Sequence, residues 1–315
     1  MKIKWPQMAA FVLIVGAVAI FATGLINSDK SDSGIVGQAE HIISGGMKDM
    51  AFMPAVDKDM EDPFLDPMAM SKGHNHASAQ TETVAEKGIK VIWSWPEGKP
   101  TPGKTRRLAL NITDSSGKAV EKFDWNNEKL LHLVVISKDL KQFQHIHPDY
   151  KGNGRFEIAV SFTVGGDYEM FADFVPSGLS ELTRAESVKV SGAALLNAPL
   201  EASDSLTATV SGVQVELRFG HLMAKMQTGM TFAFRDEKTG KPIDDLEYYL
   251  GSVGHTIIVD SQLKQYIHVH PFNWASSGPL AVFGVTFPES GIYKVWGQFQ
   301  RKGKVFVVPF VIHVP

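Results

Sequence analysis

The chain has 315 residues, 44% of them hydrophobic and 21% charged, with a formal net charge of -3. That is enough for two domains with extras, and the mild acidity gives no reason to expect a nucleic-acid partner. There is no cysteine, which excludes disulfides, thiolate metal sites and a lipid anchor at Cys, and leaves any metal to His, Met, carboxylate, amide or backbone donors.

Lys2 and Lys4 precede an uncharged apolar run from Met8 to Ile26. Nineteen such residues, at about 1.5 Å each, roughly span a bilayer core of about 30 Å. The lysines favour an N-terminus on the inside. Residues 1–27 therefore read as a membrane anchor, or else as a signal segment. Either way the body of the chain is expected on the extracytoplasmic side, periplasmic or extracellular.

Residues 28–87 read as a disordered acidic linker, with nine acidic residues against four lysines between Ser28 and Gln80 and no sustained strand alternation. Half of the 12 methionines fall here, at Met47, Met50, Met53, Met60, Met68 and Met70, followed by His74 and His76. A linker has no core for methionine to fill, and thioether sulfur is a soft ligand suited to Cu(I). Met47, Met50, Met53, Met68, Met70, His74 and His76 are therefore candidate metal ligands.

From residue 88 the texture changes. Stretches 91–95, 107–113, 131–136, 155–162 and 167–174 are short, rich in β-branched and aromatic residues, and punctuated by Gly, Pro, Asn and Asp. A second series repeats them in order at 213–219, 230–235, 255–259, 280–287, 292–299 and 305–312. Residues 114–118 answer 237–241, and 166–174 answer 291–299. The expectation is an all-β protein: two tandem immunoglobulin-like antiparallel β-sandwiches, at 88–195 and 204–315, after the N-terminal helix and the Met/His-rich linker.

A histidine pattern recurs with the repeat. His132 is followed by His145, thirteen positions on, then by His147; His255 is followed at the same spacing by His268 and His270. Each set reads as a β-hairpin turning near Ser137–Leu140 in the first copy, which places His132 opposite or diagonal to His145. Residues two apart on a strand share a face, and cross-strand Cβ atoms lie about 4.5–5.5 Å apart. Three imidazoles so placed can reach one ion with bonds of about 2.0–2.1 Å. His132, His145, His147, His255, His268 and His270 are the principal metal candidates, as two triple-histidine sites. Hydrogen bonding to backbone or carboxylate with no ion is the structural alternative. No shared fourth ligand is evident, because Asp173 corresponds to Gln298 and Met170 to Val295. A further cluster, His221, Met223, Met226 and Met230, also carries Cu(I)-compatible donors, with core packing of the methionines as the competing reading.

The stretches 132–140 with Phe143-Gln-His-Ile-His-Pro148, and 245–255 with His268-Val-His-Pro271, resemble YtkA-like bacterial extracytoplasmic domains. Residues 293–300 followed by Val308-Pro309-Phe310 fit the same pattern. The first copy departs in its approach to His132, where Trp125-Asn-Asn-Glu stands in place of Tyr248-Tyr-Leu-Gly. The resemblance implies an immunoglobulin-like fold and a setting near copper-handling genes.

Together these readings predict a membrane-anchored extracytoplasmic metal-binding protein serving copper binding, delivery or resistance. Copper, as Cu(I) or Cu(II), is the expected ion and zinc the alternative. The membrane is one expected partner and another copper-handling or membrane protein a second. The rival reading is a metal-free interaction or assembly module with structural histidines. Catalysis is not expected, because no acid is shared between copies to serve as general base.

Overall fold

Strand-forming stretches in both halves become antiparallel ladders in a computed structural model that describes residues 83–192, 199–273 and 275–315. The expected anchor (1–27), most of the linker, and Met47, Met50, Met53, Met68, Met70, His74 and His76 lie outside the described residues. Among the described residues no helix is long and apolar enough to cross a membrane.

The first sandwich begins before residue 88. Thr83 caps a one-turn helix, α1 (Val84–Gly88): its hydroxyl accepts from the Glu86 amide and the Glu86 carboxylate accepts from the Thr83 amide. Glu86 also accepts from the Ser180 amide, and Arg184 donates to the Glu86 carbonyl. These bonds fasten the end of the expected linker to the domain, which corrects the boundary at 88.

Nine strands follow: β1 (Lys90–Ser94), β2 (Thr105–Thr113), β3 (Phe123–Asp124), β4 (Leu131–Ser137), β5 (Phe143–Ile146), β6 (Asp149–Tyr150), β7 (Arg155–Ser161), β8 (Gly166–Pro176) and β9 (Leu182–Val190). One sheet runs β1-β2-β7-β6; the other runs β3-β8-β4-β5, with β9 also on β8. The second sandwich comprises β10 (Thr207–Val210), β11 (Val213–Phe219), β12 (Gln227–Asp236), β13 (Gly254–Asp260), β14 (Tyr266–Val269), β15 (Leu280–Thr286), β16 (Gly291–Arg301) and β17 (Lys304–Val314). Its sheets run β10-β11-β12-β15 and β14-β13-β16-β17.

Alternation explains the two cores. Leu131, Leu133 and Val135 of β4 point inward with Tyr168, Met170, Ala172 and Phe174 of β8, against Leu108, Leu110, Phe156 and Val160 of the facing sheet. In the second copy Ile258, Val295 and Phe299 meet Phe232, Phe234 and Phe283 in the same way. Met230 belongs to this core: it is fully buried in β12 and paired with Phe219 and Phe283, the core-packing alternative.

The opposite faces of β4 and β13 are also buried. Val134, Ile136, Leu140 and Phe171 of the first sandwich pack with Ile257, Val259, Leu263 and Trp296 of the second. The contacts are reciprocal. Phe143 stacks on Trp296 with ring centroids 4.7 Å apart, and Tyr266 stacks on Phe171 at 4.3 Å. Phe143 and Tyr266 occupy equivalent positions in the repeat, as do Phe171 and Trp296. This is the self-complementary pattern of a two-fold interface, built within one chain.

Candidate metal centre

The two histidine trios lie on those apposed faces. In the first hairpin Leu133 pairs with Ile146 and Val134 with His145, so His132 faces His147 at the end of the ladder and His145 is its diagonal neighbour. Thr256 pairs with Val269 and Ile257 with His268, which gives His255, His270 and His268 the same arrangement. On the other side of the central strand His132 pairs with Asp173 and His255 with Gln298. Each face thus carries one row of Asp or Gln, His and His, with the third His one pleat along.

Within each trio, one candidate ligand atom per residue lies within 4.8 Å of the others. His132 and His255 are completely buried. The trios are not separate pockets, as the sequence suggested: they face each other across the domain boundary. Ring centroids of His132 and His268 are 5.3 Å apart, those of His145 and His268 5.5 Å, and those of His132 and His255 6.1 Å. Six imidazoles therefore form one centre.

The turns before β4 and β13 orient the first histidine of each trio. Residues 126–129 and 249–252 close equivalent turns, through Asn126 with Lys129 and Tyr249 with Ser252. Asn127, Glu128 and Leu250 take left-handed backbone angles, with φ of 45°, 63° and 55°. The turns aim carbonyls back at the site: His132 Nε2 donates to Asn126 O at 2.8 Å, and His255 Nε2 to Leu250 O at 3.3 Å. The differing approach sequences of the two copies thus build the same turn.

The second histidine of each trio is held from the other domain. His268 Nδ1 donates to Asp173 Oδ2 at 3.1 Å. At the equivalent position, Gln298 Nε2 donates to His145 Nδ1 at 3.0 Å. Asp173 also accepts from Tyr266 Oη at 2.5 Å and Thr183 Oγ1 at 2.7 Å. Asp173 and Gln298 therefore do correspond, as the sequence indicated, but each serves its neighbour's trio. Sequence reasoning missed this, and also Tyr266.

Burial sets the electrostatics. It lowers the pKa of His145 and His255 well below the ordinary imidazole range, reinforced by the neighbouring imidazoles. His147 is pushed down to about 3, by burial first and then by His132; His132 is lowered by burial too. Burial raises Asp173, and the Tyr266 and Thr183 hydrogen bonds oppose it. Glu181, which accepts from Asn126 Nδ2, is raised to about 7 by burial and the nearby Asp173 charge. Neutral imidazole is the form that binds metals. His147 Nε2 is buried and has no hydrogen-bond partner, a cost of about 1–3 kcal/mol that coordination of a cation offsets. The donor set fits a borderline divalent ion or copper.

His221, Met223 and Met226 are elsewhere. They stand exposed on the turn ahead of β12, in the other sheet of the second sandwich, and join neither trio. Met223 and Met226 are 41% and 44% exposed, which rules out core packing for these two.

Among solved structures the chain is similar to the adhesin FdeC of Escherichia coli, at 16% identity over 75% of this chain and 66% of that one, with a TM-score of 0.25. It is similar to the Yersinia pseudotuberculosis adhesin InvE at 9% identity, covering 72% of this chain and 59% of that one, with a TM-score of 0.22. A two-domain fibronectin type III segment of chicken tenascin matches at 10% identity over 71% of this chain and 98% of that one, with a TM-score of 0.21. The chain spans less than two thirds of either adhesin, and at these scores the likeness carries no functional information. No curated protein sequence matches it. The duplication has a direct counterpart, and by that match the chain belongs to the family described as a domain of unknown function, DUF8832, which covers it twice, over residues 82–192 and 208–315.

Proposed function

We propose that this is an extracytoplasmic copper-binding protein, held at the membrane by residues 1–27, whose paired sandwiches carry the ion in a shared six-histidine centre. The observation that carries the reading is the convergence of both trios, with ligand atoms within 4.8 Å in each. His132, His145, His147, His255, His268 and His270 would hold the metal. Asp173 and Gln298 would orient His268 and His145, the supporting role that outer hydrogen-bond partners play at metal sites. Copper is favoured over zinc by the methionine-rich stretch 47–70 with His74 and His76, and by the YtkA-like resemblance. That stretch would capture the ion and pass it on, in delivery or resistance, to a copper-handling or membrane protein.

One observation favours the metal-free alternative, an interaction or assembly module: in the first trio, His132, His145, Asn126 and Gln298 form a continuous hydrogen-bonded chain that needs no ion. Metal analysis separates the two readings. The purified full chain, loaded with copper and dialysed, should retain metal, and a His145→Ala/His268→Ala variant should lose the share bound by the sandwiches. Equal retention by both proteins would overturn the copper reading.

A further inference from the structure

The methionines among the described residues fall into two kinds. Met170 and Met230 are completely buried in the two cores, whereas Met223 and Met226 are 41% and 44% exposed. Both exposed ones stand on the connection between β11 and β12, residues 220–226. An exposed methionine forgoes the packing that ordinarily selects this side chain. The equivalent connection of the first sandwich, residues 95–104, carries neither Met nor His. The fold itself therefore does not require these residues here.

The backbone brings them together. His221 and Met223 are exposed, while Leu222 and Ala224 pack against the core of the second sandwich. Ala224 and Lys225 are the central residues of a tight turn, with Lys225 at a φ of 64°. Met223 and Met226 are its corners, which holds their Cα atoms within about 7 Å of each other. From such corners two flexible thioether arms can close on one ion.

The turn is also tied down. The Gly220 amide donates to Gly229 O and the His221 amide to Thr228 Oγ1, which closes the base of the loop. At its tip the Ala224 amide donates to Pro315 O at 3.0 Å and the Lys225 amide to Phe287 O at 2.7 Å. A backbone held by two other segments loses less freedom when its side chains take a ligand.

The donor types select the ion. Two thioethers and an imidazole suit Cu(I). No carboxylate lies between Gly220 and Thr228, and Lys225 adds a positive charge, which disfavours a hard divalent cation. We infer that His221, Met223 and Met226 form a separate, solvent-open site for a soft monovalent ion, Cu(I). It sits on the sheet β10-β11-β12-β15, whereas the histidine trio of this sandwich belongs to the other sheet. It shares no residue with the six-histidine centre and does not depend on it. Its exposed sulfurs suit an ion that is exchanged with an outside ligand.

Silver(I) in chloride-free buffer is the probe, a redox-stable ion of the same soft class. The full chain carries carbon-13 on its methionine methyls, and Met223→Leu and Met226→Leu assign the two signals. Leucine at these exposed positions should leave the circular dichroism unchanged. Both methyls should shift in one saturating step, together with the His221 ring signals. Met223→Leu and His221→Ala should each weaken that step at Met226, by more than the roughly 10- to 100-fold that outer hydrogen-bond partners command. Zinc should move neither methyl, and His145→Ala/His268→Ala should leave the silver shifts as they are. Signals that stay in place with silver in excess over the 12 methionines would overturn the inference. So would a Met226 titration indifferent to the loss of Met223 and His221, equal shifts with zinc, or shifts lost in His145→Ala/His268→Ala. Failure of the six histidines to retain copper would instead overturn the reading above and leave this site in place.

Discussion

Tyr266 lies nearly flat on Phe171, with ring centroids 4.3 Å apart and planes 13° from parallel, although the two residues belong to different sandwiches. The same pair of positions, occupied by Phe143 and Trp296, stacks again at 4.7 Å and 15°. These stacks flank the six histidines and set the distance between the two hairpins. The six-histidine cluster therefore exists only while the sandwiches stay docked.

Trp296→Ala should test that dependence. Trp296 is buried in the interdomain cluster and belongs to neither sandwich core. Truncating a buried aromatic costs about 3–5 kcal/mol, and here the loss should fall on docking. Urea unfolding should separate into two steps, with the strand signal in circular dichroism retained through the first. A single unshifted transition would count against the interface.

Gly254→Ala should damage the centre from behind. A Cβ there would meet the Phe299 ring and Gln298 O at 2.6 Å or less, next to His255 and Gln298, which pair across β13 and β16. Crowding of this kind costs roughly 1–3 kcal/mol. Thermal melting should fall by several degrees and zinc affinity should drop with it. A variant that melts and binds like wild type would show that the strand has room to spare.

Acid should weaken the metal-free fold. His132, His145, His147 and His255 are held below the ordinary 6.5, His147 at about 3. Below pH 6.5 the unfolded chain takes up protons at these positions while the folded chain does not, so stability falls with pH. Glu181, raised to about 7, and Asp173, also raised, bind protons more readily when folded and pull the other way. Four imidazoles outweigh two carboxyls, and Tm should decline between pH 6.5 and 3. His147→Gln should flatten the acidic end of that curve. A Tm that rises on acidification across the window would contradict the assignment.

Metal should stabilise the docked form. An ion at about 100 times its Kd adds about 2.7 kcal/mol to a fold that binds it only when native. For a body of this size that is a Tm increase of roughly 5–10 °C. Calorimetry should find the increase in wild type and not in His145→Ala/His268→Ala.

Strand positions, the duplication and the histidine spacing were legible because each is local: alternation, turn residues and a two-residue period fix them. The docking of the sandwiches was not read, although its trace was present. His132-Leu-Val-Val-Ile and His255-Thr-Ile-Ile-Val do not alternate, and a strand without polar alternation is one buried on both faces. Met230 was ambiguous for the complementary reason, since a methionine at an inward strand position and a methionine ligand look alike in sequence. Asp173 and Gln298 could be aligned with each other but not assigned to partners, because the hydrogen bonds they make cross 95 and 153 residues of chain. The start at Thr83 was hidden by a helix of one turn, too short to show a period.

The most direct measurement is anomalous diffraction from crystals of the copper-loaded full chain. The account predicts peaks among the six rings, bounded by the ring nitrogens of His255, His268 and His270 and by those of His132, His145 and His147. Copper bound elsewhere in the chain, with no peak among the six rings and their hydrogen bonds to Asn126, Leu250, Asp173 and Gln298 unchanged, would contradict it.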